Sequence, residues 1–213
     1  IDSATKDADV KTAQTNGEQA INKVNVPDTS ATKEAAKNAI DQAAQAKNDA
    51  IGKSNLTDEE KAALKQTVSD EVNKAKAAID SATKDADVKT AQTNGEKAIN
   101  AVEIPKSSKT KNDANKEIDS TADAAKNAID KTSGLTADQK QTAKDQIDQA
   151  VTDAQEKIKN TSDNQGVADA KDAGKLAIDK DAANAAIDDA LNKKKSEING
   201  ATNLDQPTKD KLI

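Results

Sequence analysis

The stretch IDSATKDADVKTAQTNGE occupies residues Ile1–Glu18 and recurs letter for letter as Ile79–Glu96, 78 residues further along the chain. A third, diverged copy begins at Ile158, and its valine, glycine and isoleucine keep the spacing of the second copy. Self-similarity at a fixed period is typical of repeat proteins. The chain is therefore interpreted as part of a tandem array.

The apolar residues within each repeat have the spacing of amphipathic helices. Three stripes follow one another, and we call the corresponding helices A, B and C. In helix B the apolar residues step by 4, 4, 3 and 4 positions, which places them on one helical face. The stripes are Ala36, Ile40, Ala43, Ala44 and Ile51 in helix A; Leu64, Val68, Val72, Ala75 and Ile79 in helix B; and Val88, Ala91, Gly95, Ile99 and Val102 in helix C.

Capping signals separate these stripes. Thr57 with Glu60, and Thr136 with Gln139, have the spacing of a capping box, in which the Thr side chain and the Glu or Gln side chain each accept a hydrogen bond from the other residue's backbone N–H. We predict that these four residues cap the start of helix B. Three glycines lie just upstream, where a left-handed residue commonly ends a helix; they are Gly52, Gly134 and Gly200.

The connection between helix C and the next helix A differs along the chain. Pro27 and Pro105 lie at this place in the first two copies, and proline cannot continue a helix. The third copy has no proline there, and only nine residues, instead of nineteen, separate the equivalent isoleucines. The sequence therefore predicts one continuous helix from about Val167 to Ile198.

These patterns predict an all-α fold of tandem three-helix bundle repeats that form an elongated rod. The predicted domains are the last helix of a preceding repeat in residues 1–27, a complete three-helix repeat in 28–105, a second three-helix repeat in 106–180, and the N-terminal part of a third, truncated repeat in 181–213. The core is poor in large side chains, since 41 alanines accompany only 31 Ile, Val and Leu. We expect single repeats to be marginally stable.

The composition excludes most site chemistry. The chain has 32 Lys and no Arg, 38 Asp plus Glu, and no His, Cys, Met or aromatic residue, so it lacks a thiol nucleophile and an imidazole base. We expect no enzyme activity, no catalytic residue, no metal site and no cofactor. A net charge of −6 without a basic stripe argues against nucleic acid, and no apolar run predicts a membrane span or signal peptide in this fragment.

Two acidic patterns allow alternative interpretations. Asp85-Ala86-Asp87 and residues 162–166 could be calcium loops, but they lack the ligand spacing of an EF-hand, so helix capping is the better interpretation. The adjacent carboxylates of Asp188 and Asp189 could in principle perform acid–base chemistry. That role needs a pocket which desolvates one of them, and we predict a solvated face instead.

A glycine on the apolar stripe of helix C recurs in all three copies, as Gly17, Gly95 and Gly174. Glycine inside a helix costs about 1 kcal/mol relative to alanine. We predict that these glycines allow close helix packing; a ligand groove is the alternative. The stripe of the first copy consists of Val10, Ala13, Gly17, Ile21 and Val24.

Four motifs together resemble a known family. They are AKNAID at Ala36–Asp41 and Ala125–Asp130, NLTDEEKAAL at Asn55–Leu64, AKAAIDSATKDADV at Ala75–Val88, and NGEKAINAV at Asn94–Val102. Over nearly the whole chain, the sequence resembles the alanine-rich tandem helical repeat, a domain of unknown function, of Gram-positive cell-wall-anchored surface proteins of the Ebh, SasC and FmtB type. The shortened connection in the third copy departs from this pattern.

The resemblance implies an extracellular, cell-wall-anchored protein linked to adhesion and biofilm formation, with the anchor and signal peptide outside this fragment. Two functions follow as hypotheses. The repeats are a structural stalk or spacer that projects a binding domain away from the cell wall, with neighbouring repeats of the same chain as partners. Alternatively, the repeats themselves bind a host extracellular protein or another cell's surface protein through many weak sites.

Overall fold

The computed structural model of the chain describes residues 1–25 and 30–213. Pro27 and the predicted boundary between residues 27 and 28 lie outside the described residues. Within those ranges the chain forms eight α-helices and no strand, which confirms the all-α class with helical repeats. The helices are α1 (Asp7–Asn22), α2 (Ala31–Gly52), α3 (Asp58–Ser81), α4 (Asp85–Ala101), α5 (Lys109–Asp130), α6 (Ala137–Asn160), α7 (Asn164–Gly200) and α8 (Gln206–Leu212).

The helices follow the order of the sequence stripes. Helix α1 carries a C stripe, α2 to α4 carry A, B and C, and α5, α6 and the first half of α7 carry A, B and C again. The second half of α7 carries an A stripe. Helix α7 runs without a break over 37 residues, which confirms the continuous helix predicted at this place.

The chain divides into two compact units, and the first comprises residues 1–46 and 69–101. In this unit α2, α3 and α4 contribute a core of small and branched side chains, while α1 contributes no buried residue. Two ion pairs join α2 to α3, Lys37 with Asp80 and Lys76 with Asp41, each at 2.6 Å. The buried apolar residues are Ala36, Ile40, Ala44, Ala75, Ile79, Val88 and Ile99.

The second unit comprises residues 47–68 and 102–213. Helices α5, α6 and the first half of α7 pack into one bundle in which alanine alternates with isoleucine, and Lys171 of α7 pairs with Glu117 of α5 at 3.1 Å. Since alanine has a small side chain, the helices approach closely and the isoleucines fill the space between them. The core consists of Ala114, Ile118, Ala122, Ala125, Ile129, Leu135, Ala143, Ile147, Ala154, Ile158, Val167, Ile178 and Ala185.

The predicted left-handed glycines at the end of helix A are wrong. None of the seven glycines has a positive φ. Helix α5 ends instead at Lys131, which keeps a right-handed φ of −80° and donates its N–H to the Ala128 carbonyl. This tightening of the last turn satisfies the final carbonyls without a left-handed residue. Gly52 and Gly200 are simply the last residues of α2 and α7.

Candidate functional site

Gly95 and Gly174 lie where helix C crosses helices A and B. A Cβ atom built on Gly95 would overlap the Ala75 Cβ and would lie 2.7 Å from the Ile40 Cδ1. The same atom on Gly174 would overlap the Ala154 Cβ and lie 2.8 Å from the Ile118 Cδ1. Any side chain at either position therefore requires the neighbouring helices to shift.

The structure places Gly17 differently. Nothing lies within 4 Å of a Cβ built on this residue, and α1 has no buried residue. The predicted close packing at Gly17 is therefore not formed by the described residues, because none of their helices covers the stripe of α1.

The four predicted cap residues lie at the starts of α3 and α6. The Thr136 N–H donates to the Gln139 Oε1 at 3.0 Å, and the Gln139 N–H donates to the Thr136 Oγ1 at 3.2 Å. The equivalent distances are 3.1 Å from the Thr57 N–H to the Glu60 Oε2 and 3.4 Å from the Glu60 N–H to the Thr57 Oγ1. The two caps differ in surroundings, since Thr57 is fully buried and Thr136 is exposed.

Thr57 is buried because the first turn of α3 contacts the second repeat. We call Asp58, Glu59 and Glu60 the acidic turn. The Asp58 N–H donates to the Ser162 carbonyl at 2.7 Å, and the Asn164 N–H donates to the Glu59 Oε2 at 2.9 Å. The acidic turn is thereby bonded to the turn that precedes α7.

Glu60 makes the second connection of the acidic turn. Its Oε1 accepts hydrogen bonds from the Thr110 N–H at 3.0 Å and from the Thr110 Oγ1 at 3.1 Å. Ser108, which caps α5 by accepting from the Lys111 N–H, is buried beside it. One carboxylate therefore completes the cap of α3 and satisfies donors in the first turn of α5.

These bonds change the acidity of Glu60. Burial alone would raise the pKa of its carboxyl group, but hydrogen bonds from the Thr110 and Thr57 backbones and from the Ser108 and Thr110 side chains outweigh it and lower the pKa to about 2. Hydrogen bonds to the charged form of a carboxylate favour that form. Glu60 is therefore ionised at any pH near neutrality. It accepts hydrogen bonds and carries no proton that it could donate as a general acid.

The turn before α6 contacts the second half of α7 in a different way. The Gln139 Oε1 accepts from the Asn192 Nδ2 at 3.1 Å, and the Asp189 Oδ1 accepts from the Gly134 N–H at 2.6 Å. The predicted solvated face of Asp189 is wrong, because only 9% of this residue is exposed. The ion pair with Lys193 and the Gly134 N–H lower the pKa of Asp189, so its carboxylate acts as a structural acceptor.

An apolar groove lies next to the acidic turn. It has a volume of about 290 Å³, and Leu56, Ala63, Leu64 and Pro105 line it together with parts of Glu60, Ser107 and Lys109. Such a surface can receive an aliphatic side chain. The surface that the groove exposes is aliphatic, which suits contact with an apolar side chain.

Residues 1–25 and 30–213 offer neither a candidate metal site nor a candidate membrane span. No group of three or more carboxylates in these ranges could hold a metal ion. None of the helices there is both long and apolar enough to cross a membrane.

Sequence reasoning missed the contacts that the acidic turn makes with the second repeat. The only signal for them was the run of three carboxylates directly after the capping threonine. A carboxylate there also complements the helix dipole, and this local explanation accounts for the run without a partner. The buried position of Asp189 was missed because its contacts are with a turn 55 residues away in sequence.

Helices that recur in threes, bonded to one another at their caps, define the class of this protein as a tandem helical repeat. The chain belongs to the family described as Domain of Unknown Function (DUF1542), whose model matches residues 32–107 and 110–183. This is the type of surface-protein repeat that the sequence motifs resemble.

The relatives of the chain include large staphylococcal proteins. It is 30% identical over 172 residues to the extracellular matrix-binding protein ebh of Staphylococcus aureus strain MW2, covering 80% of this chain and 2% of that protein. It is 29% identical over 173 residues to the extracellular matrix-binding protein EbhA of strain Newman, covering 81% and 5%. The chain thus spans a small fraction of these relatives. No solved structure matches it.

Proposed function

We propose that this chain is a structural stalk or spacer segment of a bacterial cell-surface adhesin and projects a binding domain away from the cell wall. The observation that carries this proposal is the acidic turn of α3, which is bonded both to the start of α5 and to the turn before α7. A linker needs no such bonds. A stalk needs them, because each repeat must restrain the next one.

The family and its relatives support the setting of this proposal. Similarity to proteins named for matrix binding supports an extracellular location, and we propose that the wall anchor and the signal peptide belong to other segments of the full protein. We further propose that the repeats in residues 28–105 and 106–180 are the units of the array, and that the chain has no enzymatic activity.

Small-angle X-ray scattering on chains of increasing repeat number tests the stalk. Additional copies of the segment 106–183 would be inserted after residue 183, so that each new connection keeps the continuous C-to-A helix. We expect the maximum dimension to rise by about 35 Å per copy, the length of a 22- to 24-residue helix at 1.5 Å per residue. Growth with the cube root of the mass, at unchanged helical content by circular dichroism, would contradict the stalk.

A second candidate function is that the repeats bind a host matrix protein themselves, or a surface protein of another cell. The apolar groove lined by Leu56, Leu64 and Pro105 favours it, because a groove of this kind can accept an apolar side chain of a partner. Many weak sites along an array would give useful avidity.

Binding of the chain to immobilised, purified extracellular matrix proteins tests this second function. Leu64→Glu places a charge in the groove, and Lys65→Glu, on the adjacent exposed residue, is the matched control. Binding that Leu64→Glu abolishes and Lys65→Glu preserves would support the groove. Equal binding by the two variants would show that the groove is not the binding site. A parent chain that does not bind would likewise contradict this function.

A further inference from the structure

Asparagine followed directly by glycine occurs in the chain as Asn16-Gly17, Asn94-Gly95 and Asn199-Gly200. Such a pair is prone to spontaneous deamidation, because glycine has no side chain to hinder the approach of its nitrogen to the asparagine side chain. The structure places the first two pairs in the interiors of α1 and α4, and the third in the last turn of α7. The same reactive pair therefore occurs in two backbone settings.

Deamidation of such a pair requires the backbone to leave the helix. The glycine nitrogen loses its proton to solvent and attacks the asparagine Cγ, and the side-chain nitrogen leaves as ammonia with a proton from solvent. Water then opens the resulting succinimide ring at either carbonyl and gives aspartate or isoaspartate. In a helix the glycine N–H is bonded to the carbonyl four residues earlier, so a closed helix blocks the attack.

The pair in α4 is protected by its backbone. The Asn94 side chain is exposed, so access of water to it is not limiting. A Cβ on Gly95, however, would overlap the Ala75 Cβ and lie 2.7 Å from the Ile40 Cδ1, so the neighbouring helices confine this part of α4. Packed helices open only at a free energy close to that of global unfolding. The helix around Asn94 therefore stays closed.

The pair in α7 lacks this confinement. Asn199 and Gly200 are both exposed, and nothing lies within 4 Å of a Cβ on Gly200. The next residue, Ala201, already leaves the helix with a ψ of 117°. The Lys209 Nζ donates to the Asn199 carbonyl at 2.9 Å, but this hydrogen bond is exposed to solvent. The last turn of a helix opens at little cost in free energy.

The exposure of this place does not depend on the missing part of the third repeat. In the two complete repeats the end of helix A is occupied by Gly52-Lys53 and by Asp130-Lys131, and all four of these residues are exposed. The accessibility of Asn199-Gly200 is therefore a property of this position in the repeat. Of these three helix ends, the one in the third copy carries an Asn-Gly pair.

We propose that Asn199 is a site of spontaneous deamidation in the folded protein, whereas Asn94, which precedes the same residue type, is protected. The aspartate product matches Asp130, whose carbonyl accepts from the Lys140 Nζ at 2.9 Å as the Asn199 carbonyl accepts from Lys209. The isoaspartate product adds one atom to the backbone and interrupts the last turn of α7. The turn that follows helix A in the third copy thus changes as the protein ages, a property that goes beyond the stalk function.

Peptide mapping by mass spectrometry tests the proposal on the full chain, incubated in mildly alkaline buffer and then digested with trypsin. In the folded chain we expect Asn199 to deamidate at least about tenfold faster than Asn94. In concentrated urea the two rates should converge, because no helix then restrains either pair. Equal rates in the folded chain would overturn the proposal. So would an Asn199 that stays intact in the folded chain over a time that suffices for its deamidation in urea.

Variants at the ends of helix A separate the position from the pair. Gly200→Lys introduces the residue type that both complete repeats have there, and it should slow deamidation of Asn199 by about tenfold or more. Gly52→Lys is the matched control and should leave the Asn199 rate unchanged, since nothing lies within 4 Å of a Cβ at this residue either. An unchanged rate in Gly200→Lys, or a slowed one in Gly52→Lys, would contradict attack by the Gly200 nitrogen.

A transplanted pair tests whether the position is sufficient. The double substitution Asp130→Asn with Lys131→Gly places the reactive pair at the end of α5. Its asparagine should deamidate faster than Asn94 in the same folded chain, because this helix end is exposed as well. Circular dichroism confirms that the variant is folded. A new pair that is as stable as Asn94 would show that the end of helix A does not open, and the proposal would fail.

Discussion

The two connections between helix C and the following helix A differ in structure. After α4, residues 102–108 form a non-helical segment, and the next helix begins with Ser108 as its cap. After the second C stripe, α7 continues without a break. The acidic turn bonds to the start of α5, where the first connection ends, whereas the second connection is an unbroken helical backbone.

The difference is visible at one equivalent residue. Glu60 and Gln139 both complete a capping box. Glu60 uses one oxygen for the cap and the other for two donors of Thr110, whereas the one oxygen of Gln139 accepts both the capping bond and a bond from Asn192. A charged acceptor makes stronger bonds than a neutral one. We infer that the array uses the stronger acceptor where the helix is interrupted and the weaker one where the helix itself carries the connection.

Filling the glycine crossings should give the largest effect. Gly95→Leu and Gly174→Leu should each destabilise their repeat by about 3 kcal/mol, because the added side chain overlaps an alanine of helix B. The two losses of stability should be equal if the cores of the two repeats are alike and the repeats differ only in their connections. Urea unfolding followed by circular dichroism measures both. Gly17→Leu is the matched control and should not lower stability, because nothing lies within 4 Å of a Cβ at this residue. Unequal losses would show that the connection also affects the core.

Proline substitution should have the next largest effect and should differ between the two connections. Ala183→Pro interrupts α7 and should cost about 3 kcal/mol, because it removes a helical hydrogen bond and clashes with the preceding turn. Lys106→Pro falls in the non-helical segment after Pro105 and should change stability by less than about 0.5 kcal/mol. The shift in urea midpoint of each variant tests this. Similar shifts would mean that the continuity of α7 is not what joins the second and third repeats.

Removal of the capping acceptors should have a smaller effect. Glu60→Ala leaves the N–H groups of Thr57 and Thr110 without their acceptor in a half-buried place, and we expect a loss of about 2 kcal/mol. Gln139→Ala removes a more exposed acceptor, so its loss should be about 0.5 kcal/mol. Thermal melting of the two variants checks the order. A larger loss of stability for Gln139→Ala would contradict the inference that the stronger acceptor lies where the helix is interrupted.

The sequence predicted the helices and their order because each stripe is a local pattern of period near 3.6. It also predicted the unbroken α7, since nine residues without proline leave no room for a turn. It could not predict that Asp58 reaches Ser162 or that Asp189 reaches Gly134, because both contacts depend on how one repeat is placed on the next. The prediction of a left-handed glycine at the end of helix A was wrong, because a tightened, right-handed last turn satisfies the same carbonyls.

The pH dependence of stability should also distinguish Glu60 from Gln139. Glu60 has a folded-state pKa of about 2 against an ordinary value of 4.5, so its ionised form stabilises the fold above pH 4.5, and this contribution is lost as the pH falls towards 2. Glu60→Gln removes the titration and should lose stability less steeply across that window than the parent chain. Between pH 6 and 8 the stability of both proteins should be flat, because the chain has no histidine.

Urea midpoints at a series of pH values measure this difference, and Gln139→Glu supplies the opposite change at the equivalent residue. Its new carboxylate can accept from the Thr136 N–H and the Asn192 Nδ2, which are the donors that Gln139 now uses. The acid limb of this variant should therefore become steeper than that of the parent, though by less than Glu60→Gln flattens it, because the site is more exposed. If the stability of all three proteins falls equally with decreasing pH, the bonds of Glu60 do not stabilise the fold. The two connections would then differ only in whether the helix is continuous.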